Sequence, residues 1–259
     1  FMFFELKSYL KFLLKSSNQH GVHSPFVYNL VTKCFYKKTK KNNISQFLKF
    51  KQELLQNESV IKVTDFGAGS KVFKNEQRKI SQIAKHVGIS NKRARLLMRL
   101  IQYFNPSAIL EIGTSLGIAT SAMQIGNPSS KITTLEGCPE IAKTAKRQFD
   151  KFHLKSINIV VGNFKETLAK NISNQKYDLI YFDGNHQKAP TLDYFETCLK
   201  SIHNDSFFIF DDIHWNKEME ETWEVIKKHP KVKVTIDTFQ WGIVFFRKEQ
   251  VKEHFTIRV

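Results

Sequence analysis

Ala108-Ile-Leu-Glu-Ile-Gly-Thr-Ser-Leu-Gly-Ile-Ala-Thr120 is the stretch on which the reading of the whole chain turns. The apolar run 109–112 is short and β-rich enough for a buried parallel strand. It stops at Gly113-Thr-Ser-Leu-Gly117, and a second apolar run follows, which reads as strand, glycine turn, helix. In an open α/β sheet such a turn sits at the carboxyl end of the strands and lets a ligand approach the backbone closely. The spacing is G-x-x-x-G; the G-x-G-x-x-G of a pyrophosphate site is not present here. About 20 residues on, a second strand-like run, 131–135, ends in Glu136, an acidic side chain placed to accept both ribose hydroxyls of a nucleoside.

Past Glu136 strands and helices alternate, as a parallel sheet with right-handed crossovers requires. Pro139 starts a helix over 141–152, and 157–161 is the next strand. Tyr177-Asp-Leu-Ile-Tyr-Phe-Asp183-Gly-Asn-His186 delivers a carboxylate and then a histidine at a strand end. Ser206-Phe-Phe-Ile-Phe-Asp211-Asp212-Ile-His214-Trp215 repeats the design on the strand expected beside it. Three carboxylates at neighbouring tips repel one another unless hydrogen-bond donors or a cation sit among them, and oxygen-only ligands with room for water suit Mg²⁺. The plainer alternative, strongest for Asp212, is an aspartate that caps the following helix. Trp215 and Trp241 are read as walls for an aromatic acceptor, as core, or as a dimer contact.

E-I-G-T-S-L-G followed by L-E-G resembles the class I S-adenosylmethionine-dependent methyltransferases, and within them the catechol O-methyltransferase-like group, over residues 83–247. The resemblance implies an α/β fold with a Rossmann-like, seven-stranded, mostly parallel sheet whose last strand is antiparallel, closed by segments 232–238 and 243–247. It implies S-adenosylmethionine held by Glu111, Gly113, Thr114, Ser115, Gly117, Glu136, Gly137 and Asp183, with Asn163 and Phe164 at the adenine. It also implies a divalent ion, Mg²⁺, on Asp183, Asp211 and Asp212. Relatives carry Asp-Asn where this chain has Asp211-Asp212, and a catalytic lysine where it has His186. His186 is therefore the expected base and Asp183 its catalytic partner, with His214 in reserve. A phenol of pKa near ~10 must lose its proton to attack the methyl group, and an imidazole of pKa near ~6.5 can take it at neutral pH.

The expected product is an O-methylated small hydroxylated acceptor, aromatic or otherwise. A hydroxylated tRNA base is the second substrate class, because bacterial relatives modify tRNA and the basic chain would suit it. The reading from another class is a helix-turn-helix regulator. Ala84, Gly88 and Ile89 precede a basic helix from Ser90 that would enter a major groove, leaving Arg93, Arg95 and Arg99 exposed on one face. Against it, Leu96, Leu97, Leu100 and Ile101 form the apolar stripe of a core helix.

Residues 1–80 are expected to form a mostly helical cap and 81–259 the methyltransferase domain. The first fifteen residues, with Lys7, Lys11 and Lys15 among apolar side chains, suit a basic amphipathic helix that docks on its own core, on a second subunit in a homodimer, or on a membrane. In His20-Gly-Val-His23-Ser-Pro-Phe26, Ser24 and Pro25 start a helix, and the histidines belong to a turn that lids the site. Asp65-Phe-Gly-Ala-Gly-Ser70 looks like a second cofactor loop, but the polar run after it favours a turn in the cap. The formal net charge is +16, which favours solubility or an anionic partner. No apolar stretch approaches the roughly 18 residues of a membrane span. Cys34, Cys138 and Cys198 are far apart and in no CxxC pair, as in a reduced, cytoplasmic protein.

Overall fold

The computed structural model describes residues 2–64, 75–173 and 175–259. The second glycine-rich loop, from Asp65 to Ser70, lies outside the described residues. The chain divides into two compact units, one of residues 37–170 and the other of residues 1–36 with 171–259. The break expected at residue 80 is not a boundary of either unit. The amino-terminal helix instead joins the carboxyl-terminal unit, where Ser17 pairs with Ile257.

In chain order, helix α1 is Met2–Lys15 and α2 is Pro25–Leu30, the latter capped by Ser24 and continued by a π-helical turn, Val31–Phe35. Helix α3 is Lys41–Gln56; strands β1, Val60–Lys62, and β2, Gln77–Lys79, pair antiparallel. Helices α4, Ile80–His86, and α5, Asn91–Phe104, lead into strand β3, Ala108–Ile112. Then come α6, Ile118–Gly126; β4, Lys131–Glu136; α7, Pro139–Lys151; β5, Ile157–Val161; and α8, Phe164–Ile172. The chain ends with β6, Leu179–Phe182; α9, Lys188–Cys198; β7, Phe207–Asp211; α10, Lys217–Lys228; β8, Val234–Asp237; β9, Trp241–Phe245; and β10, Glu253–Thr256.

In the 37–170 unit, β3, β4 and β5 run parallel in that order. Helix α6 is buried at every position, as expected of an apolar helix packed on several sides. Against it packs α5, whose Leu96, Leu97, Leu100 and Ile101 are buried. Their contact is close because Gly126 has no side chain: a Cβ there would stand 3.0 Å from Ile101 Cβ. Ser90 caps α5 through the Arg93 amide, and Asn105 ends it in the left-handed region at φ 49°. Arg95 is exposed, but Arg93 and Arg99 are half-buried and Arg99 donates to Thr39 Oγ1 at 3.2 Å. The three arginines therefore do not form the exposed face that a DNA reader needs, and α5 is a core helix.

In the other unit the strand order is β10-β8-β9-β7-β6. Strands β6 and β7 are parallel, β9 is antiparallel to both β7 and β8, and β10 is parallel to β8. The expected antiparallel last strand is thus β9. Strand β10 is an addition to the expected pattern, lying beyond β8 in this unit. It is short and polar, Glu253-His-Phe-Thr256, with one buried side chain, so its alternation carries little signal. Every residue of β6, β7 and β9 is buried, which accounts for their unbroken apolar runs. Trp241 is buried beside Tyr181, so it belongs to the core and not to an acceptor wall.

Trp223 of α10 lies flat against Gly242 of β9, where a Cβ would meet its ring at 2.6 Å. Gly242→Ala is expected to cost about 1–3 kcal/mol by overpacking. Denaturant unfolding should show that loss, and Trp223→Phe in the same chain should return part of it.

Candidate active site

Strand register brings Gly113 and Glu136 to neighbouring strand ends. Ile112 pairs with Leu135, so the next positions are Gly113 on β3 and Glu136 on β4. The turn folds back onto β4, since the amides of Gly113 and Thr114 both donate to Leu135 O at 3.0 Å. Gly113, Ser115 and Gly117 all lie at positive φ, 104°, 48° and 74°. A Cβ on Gly117 would also stand 2.2 Å from Phe149 Cζ of α7, so both conformation and space demand glycine there.

Glu136 is buried and turned toward this loop. Its Oε2 accepts the Ser115 amide at 2.8 Å and its Oε1 accepts the Cys138 amide at 2.9 Å. Gly137 is buried beneath it. On the adjacent strand Gly162, at φ 145°, donates its amide to Glu136 O. Asn163 is exposed, and its Oδ1 accepts the Lys165 amide at 2.9 Å at the start of α8. Phe164 is half-buried.

Glu111 is fully buried. Its Oε2 accepts hydroxyl hydrogen bonds from Thr120 at 2.5 Å and Thr134 at 2.6 Å, while Thr134 Oγ1 lies 2.6 Å from Thr114 Oγ1. Its Oε1 has no hydrogen-bond partner. Burial pushes the Glu111 carboxyl up to about 8; the two hydroxyls oppose this and the charge of Glu136 adds to it. Thr120 and Thr134 escaped the sequence reading. A threonine hydroxyl in an otherwise buried strand or helix must find a partner, and that was the available clue.

Asp183, His186 and Asp211 lie in the other unit. Phe182 pairs with Phe210, so Asp183 and Asp211 occupy the next position on two parallel neighbours. His186 Nε2 lies 3.7 Å from Asp183 Oδ1, and its ring is 5.5 Å from that of Trp215. Asp211 is 4 % exposed, and its Oδ1 accepts the Asp212 amide at 2.9 Å. Asp212 takes φ 53°, a left-handed conformation that aspartate tolerates. Among the described residues no group of three or more His, Cys, Asp or Glu side chains converges to hold a metal. The expected three-carboxylate set is therefore not assembled. What the chain presents is the pair at the tips of β6 and β7, and Mg²⁺ is commonly held by one or two carboxylates with water and substrate oxygens.

His214 is not available as a reserve base. Its Nδ1 lies 2.9 Å from Glu220 Oε1, its Nε2 2.9 Å from Asp237 Oδ2, and its ring stacks on Phe239. Burial would lower its pKa, but the two carboxylates outweigh burial and raise it. Asn185 was also missed: it sits at φ 66° between Gly184 and His186, reaches Tyr194 through its amide nitrogen, and has a buried side-chain oxygen without a partner.

Residues 110–213 match the family described as a methyltransferase domain. The chain is 33 % identical over 85 residues to a protein-L-isoaspartate O-methyltransferase of Methanococcus vannielii, covering 32 % of this chain and 39 % of that protein. It is 26 % identical over 131 residues to a catechol O-methyltransferase of Niastella koreensis, covering 49 % and 58 %. The chain thus spans less than two thirds of the length of these two relatives. Among solved structures, the SAH-bound methyltransferase from Podospora anserina superposes with a TM-score of 0.61 at 14 % identity, covering 88 % of this chain and 97 % of that one.

The buried carboxyl makes a prediction about pH. Unfolded, Glu111 ionises near ~4.3, whereas folded it keeps its proton to about 8. Unfolding therefore releases a proton between these values, and raising the pH through that window weakens the ligand-free fold. Glu111→Gln should flatten the dependence, so its melting temperature should gain on the parent's as pH rises from 5 to 8 (roughly the window bounded by the two pKa values).

Proposed function

We propose that this class I methyltransferase domain, akin to the catechol O-methyltransferase group, moves a methyl group from S-adenosylmethionine to a hydroxyl of a small acceptor. The observation that carries the reading is Glu136, level with Gly113 in register and hydrogen-bonded to Ser115 in the turn. A carboxylate beside a glycine turn at a strand end is what a ribose diol requires, and the nucleoside is the recognisable half of the donor. Glu111 Oε1, buried and without a hydrogen-bond partner, suits the ammonium of the methionine moiety, whose charge would draw off the proton that the ligand-free carboxyl keeps. Asn163 and Phe164 complete the set at the adenine.

When bound, S-adenosylmethionine supplies an electrophilic methyl group on a sulfonium that leaves readily. The protein's task is then alignment and removal of the acceptor's proton. His186 takes that proton, and the Asp183 carboxylate 3.7 Å away stabilises the imidazolium that results. Asp183 and Asp211 are the residues that would hold a divalent cation, whose charge would lower the pKa of the acceptor hydroxyl. Half-buried Trp215, beside His186, offers an apolar wall that suits an aromatic hydroxylated acceptor.

Calorimetry should show S-adenosylmethionine binding that weakens about tenfold or more in Glu136→Ala, in line with loss of charge-assisted hydrogen bonds. A folded protein that binds no S-adenosylmethionine overturns the reading. With a catechol as probe, His186→Ala is expected to lose about 10²–10⁴-fold in turnover with donor binding retained. Asp211→Ala and chelation by EDTA test the cation: both should abolish turnover and spare donor binding, with Mg²⁺ restoring the chelated enzyme.

A further inference from the structure

Helix α1 is apolar on two faces. One face is used: Phe12 and Ser8 are buried, and Tyr9 and Phe12 pack on Phe239 with ring centroids 4.8 and 5.5 Å away. Immediately after the helix, Ser17 exchanges backbone hydrogen bonds with the β10 segment, taking one from Arg258 and giving one to Thr256. The helix is therefore fixed to its unit, with its other face outward. That outer face carries Leu6, Leu10 and Leu14, four residues apart, and they are 55, 54 and 89 % exposed. Lys7, Lys11 and Lys15, all exposed, form the row beside them, and Glu5 is the helix's only acid.

We propose that α1 is a docking surface for an anionic lipid bilayer. Its leucine ridge enters the boundary between headgroups and acyl chains, and its lysine row lies on the lipid phosphates. Three leucines in one line beside three lysines match a surface that is apolar just beneath an anionic layer. Among the described residues no helix is long and apolar enough to cross a membrane. A second copy of the chain fits less well. Joining two leucine ridges brings two lysine rows together, and three leucines offer far less than the ~1,600 Å² of a stable interface. The formal net charge of +16 acts in the same direction, favouring an anionic surface over another copy. The inference stands apart from the catalytic reading, since it uses none of the residues proposed for donor or acceptor.

The test is cosedimentation of the full chain with vesicles of phosphatidylcholine alone and of phosphatidylcholine with phosphatidylglycerol. The expected result is binding to the anionic vesicles only, weakened by salt. Leu6→Ser with Leu10→Ser and Leu14→Ser, and separately Lys7→Glu with Lys11→Glu and Lys15→Glu, should each weaken it about tenfold or more. Thermal melts report whether these surface variants fold, and Leu14→Ser alone serves if the triple variant does not. Absence of binding to phosphatidylglycerol overturns the proposal, as does equal binding to both vesicle types. Binding that the lysine changes abolish and the leucine changes leave intact reduces the effect to net charge and overturns it too. So does leucine-dependent dimerisation, seen by ultracentrifugation, in a chain that ignores vesicles.

Discussion

A carboxyl group with no access to water, Glu111, ties together the elements around the glycine turn of the 37–170 unit. Its Oε2 receives hydroxyls from Thr120 on α6 and Thr134 on β4, and Thr134 in turn meets Thr114 in the turn. Strand, turn, helix and neighbouring strand are thereby fixed by one small polar network in a dry setting, where hydrogen bonds are strong and mistakes expensive. Two of the turn's three residues at positive φ are glycines, so only Ser115 takes a conformation that its side chain disfavours. Removing a carboxyl from water is unfavourable, and here the group answers by keeping its proton at neutral pH.

The same logic governs the acidic strand ends, with different solutions. Glu136 accepts the Ser115 and Cys138 amides and Asp211 the Asp212 amide, whereas Asp183 has an imidazole at ion-pair distance. His214 is clamped between two carboxylates and stacked on Phe239, which joins the segment after β7 to α10 and β8. Of the two histidines that follow strand-end acids, one is thus consumed by structure and the other, His186, lies beside Asp183. Chemistry that resembles catalysis in the sequence becomes architecture in one case because partners arrive from Glu220 and Asp237.

Phe239 extends that architecture to the amino-terminal helix. It takes φ 74° in the β8–β9 turn and packs on His214, Tyr9 and Phe12 together. That packing occupies one face of the helix and leaves Leu6, Leu10 and Leu14 exposed on another.

The strand–turn–helix at 108–120, the acid at the end of the next strand and the parallel order of β3, β4 and β5 were legible in the linear chain. Each depends on neighbours in sequence or on a short apolar run ended by a turn, and such signals survive without coordinates. The antiparallel strand was legible through resemblance. Strand β10 was not, having one buried side chain. The threonines around Glu111 and the clamp on His214 were equally hidden, because their partners lie up to 23 residues away and are chosen by register and helix packing. The division of the chain was hidden for the same reason: a bridge between Ser17 and Ile257 joins the two ends of the chain. Local pattern dictated which segments became strands and helices, and long-range contact chose which polar groups among them were satisfied internally. A polar side chain announces its need for a partner, but only the folded chain shows where that partner stands.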